Sequence, residues 1–93
     1  MTSAPAEYMV IERYHAGAAP TIYRRFNDKG RMLPAGVEFL GSWVDVDLSG
    51  CFVLLKTAER SLIDTWIGAW SDLVDFKVVP VQTSAAAARA SGA

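Results

Sequence analysis

The run Cys51-Phe52-Val53-Leu54-Leu55 is apolar without interruption. It is bounded by the turn formers Asp47-Leu48-Ser49-Gly50 on one side and by Lys56 on the other. A short apolar run between turn signals reads as a strand. Successive side chains of a strand point to opposite faces, so a strand without polar alternation must be covered on both. A half-exposed antiparallel sheet would instead show a polar residue at every second position. The other strand-forming stretches share this character: Val10 and Tyr14, Phe39 and Trp43, and Val79 and Val81 leave few polar positions on either face. A chain of this kind must bury two sides of one sheet.

Six elements follow from the pattern. Residues 8–15, rich in Tyr, Val and Ile, read as a first strand. Gly17 breaks it, and Pro20 suits the first position of a helix. Ile22, Tyr23 and Phe26 fall at helical spacing, and Gly30 is a natural stop. Pro34 and Gly36 keep residues 31–36 a connection. Strands over 37–46 and 51–56 flank the Asp47–Gly50 turn and form a hairpin. Thr57 is positioned to cap a second helix, with Glu59 in its first turn. Leu62, Ile63, Trp66, Ile67 and Trp70 make its apolar stripe. A fourth strand covers 76–81. The order β-α-β-β-α-β predicts an α+β fold of the ferredoxin-like, split-βαβ plan: a four-stranded antiparallel sheet with two helices on one face and right-handed crossovers. The domain spans 8–82. Residues 1–7 read as a flexible N-terminus, and 83–93 as an Ala-rich tail, capped at Ser84 and frayed or weakly docked.

Composition sharpens this plan. Apolar residues are 52% of 93, too many for disorder and many for a small domain with much surface per volume. The uncovered sheet face accounts for that excess if it pairs with a second copy or lines a ligand site. Nine basic against ten acidic residues give a net charge of −1, which excludes a phosphate-binding surface over the whole molecule. One cysteine excludes an internal disulfide and a cysteine zinc cage. RNA-recognition domains share the topology, but residues 49–55 carry one aromatic and no flanking base, so nucleic acid is not an expected partner. There is no Walker loop, nucleophile elbow or dinucleotide-binding glycine pattern, and no cofactor or metal is expected. Neither a targeting segment nor a membrane span is visible, which predicts a cytoplasmic protein.

Candidate site residues lie on the first strand and its neighbours. Val10, Glu12 and Tyr14 share one face, Met9 and Ile11 the other. The Met9/Ile11 side suits the helices, so Glu12 and Tyr14 are expected on the open face, inside the space between two subunits. Glu12 there is either a general acid or base with a raised pKa, or the carboxylate of an ion pair with Arg13, Arg24 or Arg25. Its weak candidacy for catalysis rests on that position. His15, the sole histidine, is read as a proton shuttle near neutral pH or simply as an exposed strand end. Trp43 is the tryptophan best placed to share the open face and a pocket with Glu12, Tyr14 and His15. Trp66 and Trp70, four apart on one helix, are expected in packing. Asp72 and Asp75 suit turn and capping roles. Arg24, Arg25, Lys29 and Arg31 form a small basic cluster, read as a solvated helix face or an anion receiver.

Several segments together resemble a small, uncharacterised bacterial family catalogued as a domain of unknown function. They are Tyr8-Met9-Val10-Ile11-Glu12-Arg13-Tyr14, Tyr23-Arg24-Arg25-Phe26, Gly30-Arg31-Met32-Leu33-Pro34, Ser42-Trp43-Val44, Cys51-Phe52, Trp66-Ile67, and the block from Trp70 to Val81. The resemblance covers roughly residues 8–84. Lys56 departs from it, standing where the pattern favours an acid. The resemblance implies a dimeric α+β barrel, in which two ferredoxin-like sheets pack face to face. That wider group includes cofactor-free monooxygenases, haem-degrading enzymes, small isomerases and stress-responsive proteins, and analogy with its haem-binding members implies a haem-ligand role for His15 as the sharper alternative to an exposed strand end. The expected function is therefore binding of a small organic ligand, with monooxygenase- or isomerase-like chemistry; the alternative is a non-enzymatic dimer whose barrel is filled by side chains.

Overall fold

The structure, a computed structural model, describes residues 4–92. The elements are β1 (Ala6–Tyr14), α1 (Ala19–Lys29), β2 (Val37–Val44), β3 (Gly50–Thr57), α2 (Arg60–Gly68), β4 (Val74–Val81) and α3 (Ser84–Ala90). A proline lies in the first turn of α1, where a missing N–H costs nothing. Gly30 ends that helix in the left-handed region, φ 70°, its N–H bonded to the Phe26 carbonyl at 2.7 Å. β1 starts at Ala6, so residues 6 and 7 belong to the sheet; the expectation for residues 1–3 lies outside the described residues. No described helix is long and apolar enough to cross a membrane.

The sheet is fully antiparallel, in the order β2-β3-β1-β4. β1 is therefore central, with β3 on one side and β4 on the other. Its register decides the rest of the molecule. Val10 stands opposite Val53 of β3 and Val78 of β4, and Glu12 opposite Cys51 and Phe76. Val10, Val53, Leu55 and Ile63 are 0% exposed and share one core with Ile22 of α1 and Trp66 of α2. The helices thus cover the Val10/Glu12/Tyr14 face. This reverses the expected assignment, which put the helices on Met9 and Ile11. The reason is that both faces are apolar. A shift of one residue exchanges the faces of a strand, and here alternation could not choose between them.

Met9, Ile11, Phe52, Leu54 and Val79 form the opposite face, with Trp43 paired to Phe52 and 57% exposed. A bulge between Phe39 and Gly41 breaks the expected kinship of Phe39 and Trp43: Phe39 stands opposite Leu55, on the helix side. Lys56 lies between Glu7 of β1 and Glu38 of β2 on the open face. Opposite charges in register are favourable, which gives the lysine a local reason far from Glu12.

Three local details differ from expectation. The N-cap of α2 is Glu59, not Thr57; the buried Thr57 hydroxyl accepts from the Glu59 N–H at 3.1 Å and lies 3.3 Å from its carbonyl. Asp72 is no capping residue. It accepts two hydrogen bonds from Arg25, at 2.9 and 2.7 Å, and Arg25 also donates to the Ala69 carbonyl, tying α1 to the end of α2. The tail is a third helix. Its cap is Thr83, whose hydroxyl accepts from the Ala86 N–H at 3.0 Å, and alanine has the best intrinsic helix propensity.

Two glycines report on this packing in opposite ways. A Cβ at Gly50 would run into the Glu12 main-chain carbonyl, whereas one at Gly68 meets nothing within 4 Å. Gly50→Ala is expected to lower stability by about 2 kcal/mol, and Gly68→Ala to raise it by about 0.5 kcal/mol. Denaturant midpoints at unchanged m-value check both.

Candidate functional site

A cleft of about 310 Å³ opens between α1 and the helix-facing side of the sheet. β1 contributes Glu12 and Tyr14, and β3 contributes Cys51. Ser42 and Val44 come from the edge strand β2, and Ile22, Tyr23, Phe26 and Asn27 from α1. Trp66 and Trp70 close the back, and Arg31 comes from the connection after α1. The lining is mostly apolar and aromatic with a few converging polar groups, the usual make-up of a small-molecule site.

Glu12 is the one acid in that lining. Its burial pushes the carboxyl pKa up to about 7, and the Arg31 guanidinium pulls weakly the other way. Burial disfavours the charged form because the interior solvates it poorly. Among the described residues no cation closes an ion pair on Glu12, so desolvation wins. The Tyr14 and Tyr23 hydroxyls lie 3.3 Å apart, their rings edge to face with centroids at 6.2 Å. Burial first, then that hydrogen bond, raises the Tyr14 pKa far above the phenol range, so Tyr14 stays neutral and keeps a proton to donate. The Cys51 thiol is pushed up to about 11 by burial and then by Glu12. It is a packed thiol, not a nucleophile, since only the thiolate attacks. A carboxyl poised near neutrality beside a neutral phenol pair is suited to moving protons.

Arg31 is the residue whose importance the sequence conceals. Its guanidinium sits 4.2 Å from the Phe39 ring centroid and 5.2 Å from that of Phe26. The Trp66 and Trp70 indoles both donate to its carbonyl, at 2.9 and 3.1 Å. Read along the chain, it belongs to a basic cluster on a helix. In space it leaves that cluster for the cleft. Trp66 lies near the end of α2 and Trp70 in the turn after it, so the expected helical stripe stops short of Trp70, and it is that turn, not helical spacing, that brings both indole N–H groups to one carbonyl.

The expected site residues separate into two groups. Glu12 and Tyr14 line the cleft together, though on the helix side of the sheet rather than between subunits. His15 does not join them: its Nε2 lies 3.0 Å from Asp75 Oδ1 at the exposed end of β1. That pair also gives Asp75 a role other than turn capping. Trp43 is on the opposite face. Of the cations first considered for Glu12, Arg25 is held by Asp72, Arg24 donates to the Thr21 hydroxyl, and Arg13 alternates to the other face of β1. The cation that faces Glu12 is Arg31.

The family model described as a domain of unknown function (DUF3303) matches residues 6–93, and the chain belongs to that family. No curated protein and no solved structure matches the chain.

The raised Glu12 pKa makes stability depend on pH with a definite sign. Below pH 4.5 the carboxyl is protonated in both the folded and the unfolded chain and costs nothing. Between 4.5 and about 7 the unfolded chain releases this proton first, so stability falls as pH rises. Glu12→Gln removes that slope. Its stability should match the parent near pH 4 and exceed it by about 2–3 kcal/mol at pH 8, read from denaturant unfolding across that range.

Proposed function

We propose, taking membership of this family as the premise, that the protein holds a small planar organic molecule in the cleft beside α1 and that Glu12 exchanges a proton with it. The observation that carries this reading is a carboxyl with a pKa of about 7 in the lining of a mostly apolar and aromatic cleft of about 310 Å³. Half of such a group is ionised near pH 7, where a general base has both the vacant site and the basicity it needs. A substrate C–H next to a carbonyl gives its proton to a Glu12 oxygen, and the electron pair moves onto the carbonyl oxygen. The Tyr14 hydroxyl is placed to donate to that developing oxyanion. Return of the proton to a different carbon is an isomerisation. Transfer of the electrons to dioxygen instead is the opening step of a cofactor-free oxygenation.

The molecule acts in this reading as a homodimer of ferredoxin-like domains, joined through their open sheet faces into an α+β barrel. The strand order β2-β3-β1-β4 and the βαββαβ succession support the plan. The occupant of the open face is a second copy for two reasons. Glu7 and Arg13 stand at opposite ends of that face of β1, so a two-fold axis crossing the strand sets each over its opposite in the partner. Four strands of eight or nine residues make a face of about 27 by 19 Å. Two such faces bury roughly 1,000 Å², the threshold of a specific interface.

Proton exchange is measured directly as deuterium uptake at the α-carbon of small aryl 1,3-diketones in heavy water. The parent protein is expected to accelerate it with a rate rising through pH 7, and Glu12→Gln to lower the rate by about 100-fold or more. Equal rates for the two proteins would refute the role of Glu12. For assembly, sedimentation at micromolar concentration should give twice the chain mass of 10.1 kDa. Trp43→Lys should return it to one chain mass with the cleft chemistry unmoved.

A further inference from the structure

We infer that the cleft selects planar aromatic molecules bearing a single oxyanion, and that Arg31 receives the negative charge. This rests on the cleft being a ligand site, as proposed above, and adds the class of ligand it takes.

The argument starts from how the arginines are used. Arg25 is matched by Asp72 and Arg60 by Asp64, each at hydrogen-bonding distance from a carboxylate. Arg31 is matched by no carboxylate in an ion pair among the described residues. It is nonetheless half-buried, with its guanidinium against the rings of Phe39 and Phe26. Ring faces attract the cation and strip part of its water, but they leave its in-plane N–H donors unused. Those donors form a planar fork that fits the two oxygens of a carboxylate, or a single phenolate oxygen.

Two indole N–H groups hold the Arg31 carbonyl, which anchors the main chain the side chain starts from, and the Phe39 and Phe26 rings are what the guanidinium itself packs on. The rest of the lining is rich in rings: Trp66, Trp70 and the edge-to-face pair Tyr14 and Tyr23. Rings offer a partner for another ring. Glu12 bears on the choice of sign. A cationic ligand would set its charge against Arg31, whereas an anion needs only that Glu12 be neutral or distant.

The test uses the full chain and three isosteric probes: 2-naphthoate, 2-naphthamide and 2-naphthylmethylammonium, titrated calorimetrically at pH 7. The naphthoate is expected to bind at least 10-fold more tightly than the amide, and the ammonium most weakly. Arg31→Gln should bring the naphthoate down to the amide, while leaving the amide unchanged. Arg31→Lys should keep part of the preference, since it retains the charge and loses the fork. The main-chain carbonyl that the two indoles hold survives both substitutions. If either variant nevertheless fails to fold, the order of the three probes on the parent protein decides alone. Equal binding of acid and amide, or preference for the ammonium, overturns the inference while leaving a ligand cleft in place. Retention of the preference in a folded Arg31→Gln overturns it as well. Binding of none of the probes overturns both this inference and the cleft reading beneath it.

Discussion

Two indole N–H groups converge on one carbonyl oxygen, that of Arg31. The carbonyl sits just past the end of α1, where the chain has no regular structure of its own. Trp66 and Trp70 are both buried against the sheet, so the bond pins a loop to the core rather than to another surface. Each such hydrogen bond contributes about 1 kcal/mol net, but the larger consequence is positional. From that anchored main chain the Arg31 side chain lies against the rings of Phe26 and Phe39. The same residue contributes to the lining of the cleft. Arg25, in the second half of the same helix, bridges to Asp72 and the Ala69 carbonyl and ties α1 to the turn after α2.

Against that frame the burial of Glu12 is a cost the fold sustains. An apolar residue of similar size opposite Cys51 and Phe76 would be the stable choice for a central strand. A carboxyl without an ion-pair partner there lowers stability at neutral pH, and the raised pKa measures by how much. Strain and poor solvation of this kind gather at sites of chemistry. The neighbours do not relieve it: Tyr14 is bonded to Tyr23, and the Cys51 thiol is neutral. The result is the one carboxyl in a largely apolar and aromatic lining.

The open face of the sheet raises a second demand. Met9, Ile11, Phe52, Leu54 and Trp43 are more apolar than a water-facing sheet surface tolerates at such density. α1 and α2 do not cover it, because they pack on the other side. Cleft and open face are therefore independent features of the same sheet. One is a cleft lined within a single chain, and the other is an apolar surface on the opposite side of the sheet.

Much of this was legible before folding. The long apolar run 51–55, Pro20, Gly30 and the stripe from Leu62 to Trp70 determine the elements and their order, because local propensity and turn chemistry act over a few residues. Glu12 and Tyr14 stand out for the same reason, as polar groups in an apolar strand. The sequence by itself also determined that both faces of the sheet are apolar. Which face receives the helices was settled only in the tertiary structure. A two-sided apolar strand carries no alternation to orient it, and a single-residue difference in parity reverses every assignment. That parity moved Glu12 and Tyr14 from a space between subunits into a cleft within one chain, and set Trp43 behind the sheet from them. The place of Arg31 was equally a tertiary outcome. Its carbonyl is bonded to residues 35 and 39 positions away, a distance across which spacing and charge pattern carry no information.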